Sequence, residues 1–140
     1  MAPRWSSRRC PGRRPMGRRT RSRIGTKRIY EPASRADGTR VLVMRLWPRG
    51  IRKSAVDLWL RDLGAELRNL RLWHAGRLSW PELRRRYLAG LKQPPASEAL
   101  AELRALARRR PVTLLCSCAD PARCHRTILA GVLERASIRS

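Results

Sequence analysis

The sequence predicts an α/β domain: a small, mainly parallel sheet flanked by helices on both faces, preceded by a disordered basic tail. Three observations predict it. Two apolar runs of strand length, Val41–Leu46 and Val112–Cys116, lack the polar alternation of a half-exposed strand, as strands covered on both faces do. Helix-patterned segments lie between them, and a parallel pair needs such a crossover. The first 26 residues hold nine Arg and no acid, with almost nothing apolar to bury.

Residues 1–26 cannot offset the entropy of ordering by burial, so they are expected to be disordered, and residues 27–136 form the single domain. Lys27–Tyr30 reads as a short edge strand, and Asp37-Gly38 as a turn. The run Val41–Leu46 leads straight into Trp47-Pro48-Arg49-Gly50, a loop punctuated by Pro and Gly. Ser54-Ala55-Val56-Asp57 has the form of a capping box, with Val56, Trp59, Leu60 and Leu63 on one stripe. A second helix spans about Glu66 to Trp73. A third begins at the capping box Ser79-Trp80-Pro81-Glu82 and stops at Pro94-Pro95, and a fourth covers Ser97 to Arg109. After the Val112–Cys116 strand, Asp120 is expected as N-cap and Pro121 as first residue of a final helix. Its first turns carry Cys124, His125 and Arg126, and its apolar stripe carries Ile128, Leu129, Val132 and Leu133.

The chain holds 33 Lys and Arg against 10 acids, a formal net charge of +23. Such a surplus predicts sequence-blind, salt-dependent attraction to nucleic-acid phosphate. Only three of those cations are Lys, a skew that coding bias produces as readily as selection for binding. No run approaches a membrane span, and no apolar segment follows the basic N-terminus as a secretory signal requires, so no membrane partner is expected. Cys116, Cys118 and Cys124 crowd into nine residues, whereas a disulfide framework would spread them; a reducing cytoplasm is the expected location.

Parallel strands release their loops at one edge, so Trp47–Gly50 and Ser117–Arg126 are expected to face a shared crevice at the carboxyl edge of the sheet. Candidate ligand-binding residues there are Arg45, Trp47, Arg49 and Arg126; candidate catalytic residues are Cys124 and His125. Backbone N–H groups at a helix start, with Arg49 and Arg126 beside them, make a phosphate or carboxylate receptor. Trp47 could stack on a base, or simply be core. A helix N-terminus and neighbouring Arg would lower the Cys124 thiol pKa, yet Cys124 also lines up with Ile128 and Val132, where it would be an inert core residue. No phosphatase-type Cys-x5-Arg loop is present. Metal binding is not expected: helix neighbours diverge by about 100°, so Cys124 and His125 should not clasp one ion, and Cys-x2-Cys knuckles are missing. No cofactor is expected. The leading reading is binding of an anionic, phosphate-bearing ligand, a nucleotide or nucleic acid, at the carboxyl edge. The alternatives are an enzyme using Cys124 and His125 on an anionic substrate, and a structural or partner-binding module.

Three stretches together carry a resemblance: Arg28-Ile-Tyr-Glu-Pro-Ala-Ser34, Asp37-Gly38 through Met44-Arg45-Leu-Trp-Pro-Arg-Gly50, and Leu114-Leu-Cys-Ser-Cys118 through Cys124-His125-Arg126. Over about residues 27 to 135 the chain resembles the domain of unknown function 488 family, in its YeaO-like branch. The resemblance implies a small cytoplasmic α/β domain and brings no established activity. Two positions depart from the family pattern. Met44 stands where an Asp usually precedes Arg-Leu-Trp, and Gly90 stands where Tyr-x-x-Glu-Leu is usual.

Overall fold

The computed structural model describes residues 24–139. Four strands, β1 (Ile24–Arg28), β2 (Thr39–Leu42), β3 (Leu58–Trp59) and β4 (Val112–Cys116), form one sheet in the order β1-β4-β2-β3. Every pairing is parallel, with Val112 opposite both Ile24 and Thr39, and Val41 opposite Leu58. Among the described residues there are four α-helices: α1 (Leu67–His74), α2 (Trp80–Gly90), α3 (Ala96–Arg109) and α4 (His125–Arg139). The α/β class and the parallel sheet therefore stand. The tail lies outside the described residues up to position 23. Its last three residues as read from sequence, Ile24, Gly25 and Thr26, instead open β1, because Ile24 to Arg28 pair along the full length of β4.

β4 is buried throughout, as an unbroken apolar run in the middle of a parallel sheet should be. Alternate side chains separate two apolar layers. Val41, Val43, Val112 and Leu114 join Tyr87 of α2 and Leu91 just after it, Leu100 and Leu103 of α3, and Leu129 and Leu133 of α4 in the main core. Leu42 and Leu115 face the other way, where Met44, Trp47, Ile51, Val56 and Trp59 cover them. The covering is thus asymmetric: α-helices pack on one face, and the 44–59 segment with a single 3-10 turn at Lys53–Ala55 packs on the other.

Three local expectations change. Residues 54–63 are not a helix but a 3-10 turn, the short β3 and a second 3-10 turn at Arg61–Leu63. The open edge of β2 claims this segment: Asp57 N–H donates to the Arg40 carbonyl at 2.9 Å and Leu60 N–H to that of Leu42 at 3.0 Å. Paired backbone groups outweigh a helical stripe whose members Val56 and Trp59 are also good strand formers. The Val41–Leu46 strand ends at Leu42, because β3 beside it is only two residues long. Finally, Asp120 caps not the last helix but a 3-10 turn at Pro121–Arg123, accepting from Ala122 N–H at 3.0 Å. Cys124 then takes an extended conformation (φ −141°, ψ 141°), and α4 starts at His125.

Two glycines make close approaches possible. Gly38 has φ +63°, and a side-chain carbon there would lie 2.3 Å from the Pro111 carbonyl oxygen. At Gly64 such a carbon would lie 2.6 Å from the Arg45 backbone nitrogen, so the loop after β3 can lie flat against the end of β2 only without a side chain.

Candidate functional site

β4 delivers Cys116 to the helical face at the carboxyl edge, in step with Val112 and Leu114. The chain turns back through Cys118, and the extended Cys124 and the first residue of α4, His125, return beside it. The Sγ atoms of Cys116 and Cys118 are 3.4 Å apart. His125 Nδ1 lies 4.0 Å from Cys116 Sγ and 4.0 Å from Cys124 Sγ. The four donor atoms all fall within 4.8 Å of one another. On its far side, His125 Nε2 lies 2.5 Å from the Val43 carbonyl oxygen. A carbonyl oxygen can only accept, so Nε2 carries the proton and Nδ1 turns a lone pair towards the sulfurs. Burial pushes the His125 pKa down despite that hydrogen bond, which keeps the ring neutral.

The thiols act on one another. Hydrogen bonds from Cys118 and Cys124, helped by the positive charge of Arg126, lower the Cys116 pKa. Those same contacts with Cys116 push Cys118 and Cys124 upward. Arg126 is 3% exposed, and its Nη1 donates to the Cys118 carbonyl at 2.9 Å and towards Cys124 Sγ at 3.7 Å. Its Nε is buried without a partner, and none of the ion pairs among the described residues includes it.

This geometry removes the premise on which a metal was unexpected. Cys124 is extended and lies before α4, so it and His125 are not successive residues of one helix; the angular divergence does not apply. Cys116, at the very end of its strand, reaches the same point.

The other sequence candidates separate. Trp47 sits on the opposite face of the sheet: its Nε1 donates to the Ile51 carbonyl at 2.8 Å and its ring meets Trp59 edge-on at 5.3 Å. It serves as core. Arg49 is exposed, with its carbonyl accepting from the Tyr30 hydroxyl at 3.0 Å. Arg45 stays on the helical side, where its Nε donates to the Gly64 carbonyl at 3.0 Å and its Nη1 lies 3.9 Å from Asp62. The shared crevice expected between Arg49 and Arg126 is therefore replaced by two neighbouring features, because the Trp47–Gly50 loop is drawn to the second face by Trp47 and Ile51.

One feature is the closed Cys/His cluster. The other is an open cleft of about 470 Å³ lined by Arg45, Asn69, Arg86, Tyr87, Gly90 and Gln93 among others. Tyr87 is the partition: it borders the cleft and also a small apolar pocket against Cys118, Cys124 and His125. Its ring lies edge-on to His125 at 5.5 Å, and its hydroxyl donates to the Leu63 carbonyl at 2.6 Å. Tyr87 is buried while Arg85 and Arg86 beside it on α2 are exposed, so the same helix that bounds the core also floors the cleft. The departure at Gly90 falls here, where a side-chain carbon would enter open space. Met44 packs beneath the second face instead.

Comparison with known proteins yields a consistent set of relatives. Residues 24–137 match the family model DUF488-N3a, described as the active DUF488-N3 subclade. The chain is 36% identical over 114 residues to the uncharacterized protein YeaO of Escherichia coli (strain K12), covering 79% of this chain and 96% of that protein. It is 41% identical over 122 residues to the uncharacterized protein Mb3100c of Mycobacterium bovis, covering 85% and 98%. The uncharacterized protein Rv3073c of Mycobacterium tuberculosis (strain H37Rv) matches to the same extent. No solved structure matches the chain.

Proposed function

The chain belongs to the DUF488 family, in the subclade described as active DUF488-N3, and from that premise we propose that it binds an anionic, phosphate-bearing ligand in the cleft beside Tyr87. The observation that carries this reading is the position of Arg45. It comes from the Arg-Leu-Trp-Pro-Arg-Gly motif, lines the cleft at the carboxyl edge, and is held by an Nε–H bond to the Gly64 carbonyl and a loose pair of its Nη1 with Asp62 at 3.9 Å, which together leave it donors for a ligand. Arg85 and Arg86 add positive charge to the rim, partly offset by Glu82, which both of them bond, and by Asp62 and Glu66 in the lining. Asn69 and Gln93 add neutral hydrogen-bonding groups to the lining. A nucleotide or a nucleic-acid phosphate fits this chemistry, and the +23 net charge favours approach of either. Arg126 is not one of the ligand's contacts in this reading, since it points into the Cys/His cluster.

Catalysis through Cys124 and His125 has less support. Both are buried, the Cys124 thiol is pushed away from ionisation, and Tyr87 stands between them and the cleft. No helix among the described residues is long and apolar enough to cross a membrane, and the three described cysteines are free, which suits the reducing cytoplasm.

The test is calorimetric titration with a nucleoside monophosphate and, separately, a short oligonucleotide. A charge-assisted hydrogen bond is worth about 1.5–3 kcal/mol, so Arg45→Ala should weaken monophosphate binding about tenfold or more. Arg45→Lys, which keeps the charge but not the fork, should recover part of it. Melting temperatures of both variants separate lost binding from lost folding. Unchanged affinity in a folded Arg45→Ala protein, with binding abolished instead by removing residues 1–23, would reduce the interaction to bulk charge attraction.

A further inference from the structure

The Cys/His cluster lies beside the proposed anion-binding cleft but is chemically separate from it. We infer that Cys116, Cys118, Cys124 and His125 form a closed site for one soft divalent cation, zinc foremost, which fastens the end of β4 to the start of α4. Three independent features of the cluster carry this.

The first is spacing. Tetrahedral zinc with Zn–S near 2.3 Å and Zn–N near 2.0–2.1 Å puts its sulfurs about 3.8 Å apart and each sulfur about 3.6 Å from the nitrogen. The distances here are 3.4 Å between Cys116 and Cys118 and 4.0 Å from His125 Nδ1 to two of the sulfurs, and none of the four donors is more than 4.8 Å from another. A contraction of at most about 1 Å at the widest pair completes the tetrahedron. Three sulfurs and one imidazole are also the donor set that zinc prefers over harder ions.

The second is the histidine's orientation. Ligating imidazoles characteristically donate their other N–H to a carbonyl or carboxylate, which fixes the tautomer and aims the lone pair. His125 does this through Nε2 and the Val43 carbonyl. A histidine that merely filled core space would not need its bare nitrogen turned to three sulfurs.

The third is charge. Arg126 is a buried guanidinium without a carboxylate among the described residues. A buried charge requires a counter-charge nearby. Three thiolates and a neutral imidazole around a divalent ion carry a net charge of minus one, and Arg126 Nη1 reaches Cys124 Sγ at 3.7 Å. Cluster and arginine together are neutral.

All four positions are filled by the protein, so the site is structural rather than catalytic. It would hold the 117–124 loop, which has only one 3-10 turn of its own, against the sheet.

The experiment is metal analysis of full-length protein purified without chelator, followed by cobalt substitution. The expected result is one zinc per chain, the intense visible absorption of tetrahedral thiolate-bound cobalt, and a lower melting temperature after chelation. Cys118→Ser, at the least buried of the three described cysteines, should lower zinc content well below one per chain, whereas Cys10→Ser should not. Wild-type stoichiometry is informative even if a variant fails to fold. Protein that carries no zinc and takes up no cobalt would overturn the inference. So would a Cys116–Cys118 disulfide in the purified protein, or zinc retained in full by both Cys118→Ser and Cys124→Ser.

Discussion

Arg40 and Arg126 are both buried, one near the amino ends of the strands and the other at the carboxyl edge, and their surroundings differ in kind. Arg40 pairs with the Asp37 carboxylate and donates its Nε to the Ala55 carbonyl at 2.7 Å. Asp37 in turn receives Lys27 Nζ at 3.0 Å and the Ser34 N–H at 3.0 Å, while Thr113 Oγ1 donates to its backbone carbonyl at 2.7 Å. That knot is complete within itself. Arg126 has two neutral or weakly charged acceptors and one orphaned N–H. The difference teaches what each is for: a closed charge network ties β1 and β2 to the turn before β2, whereas an arginine facing sulfurs points to a counter-charge that neutral thiols do not supply.

The strongest way to break this comparison is at Asp37. Asp37→Ala strands the buried Arg40 and should cost about 3–5 kcal/mol in urea denaturation, a large share of the stability of a domain this size. Asp37→Asn, which keeps a hydrogen-bond acceptor, should cost less. A loss under about 1 kcal/mol for the alanine variant would show that the network is not the clasp described. The pH dependence has a definite sign. Burial alone would raise the Asp37 carboxyl, but hydrogen bonds from Lys27, Ser34 and Arg40 outweigh it and hold it below the ordinary value. Its contribution is therefore fully present above the unfolded-state pKa of about 3.9 and is lost as pH falls through the lower folded value. In Asp37→Asn that acid limb should shrink.

The two knots were unequally legible. The Arg45 motif, the 112–116 strand and the 79–90 helix follow from local patterns, because an unbroken apolar run and a Ser-x-x-Glu cap act on their own neighbours. Ser79 does accept from Glu82 N–H, at 3.2 Å. Asp37 looked like no more than a turn residue, since its partners Lys27 and Thr113 lie far from it in sequence. The cysteine cluster was visible as composition but not as geometry. An Asp-Pro pair reads as a helix start, and only the 3-10 turn it actually caps leaves Cys124 extended and able to share a point with His125. Likewise, nothing within residues 54–63 reveals that the open edge of β2 will draw them out of a helix.

A smaller effect sharpens the other half of the comparison. Arg126→Met keeps the apolar stem and removes the charge. If the cluster holds zinc, this change near the ligands should lower zinc affinity roughly 10–100-fold, measured by competition with a chromogenic chelator. In excess chelator the same variant should lose little stability, because it deletes a buried charge that lacks a full partner. Arg40→Met should behave oppositely, losing stability with or without metal and leaving zinc affinity unchanged. Equal losses for Arg126→Met under both conditions would make Arg126 an ordinary structural arginine.

The smallest expected effect is at Lys27, and it tests which cation completes the Asp37 knot. The Lys27 side chain is 23% exposed against 9% for Arg40, and its ammonium also donates to the Pro32 carbonyl at 2.7 Å. A cation that still reaches water loses less when unpaired, and pairs of this kind are typically worth about 0.2–1 kcal/mol. Lys27→Met should therefore cost under about 1 kcal/mol at neutral pH, well below the cost of Asp37→Ala. Its acid behaviour should change more visibly. The Lys27 hydrogen bond is the leading contact that holds the Asp37 carboxyl down, so removing it lets burial raise the folded pKa towards the unfolded one. Stability should then be lost at a higher pH than in the wild type, and the total acid-dependent loss should be smaller. A neutral-pH cost as large as that of Asp37→Ala would mean that Lys27, not Arg40, carries the network. The contrast between a buried arginine with its carboxylate and a buried arginine with its sulfurs would then rest on the wrong partner.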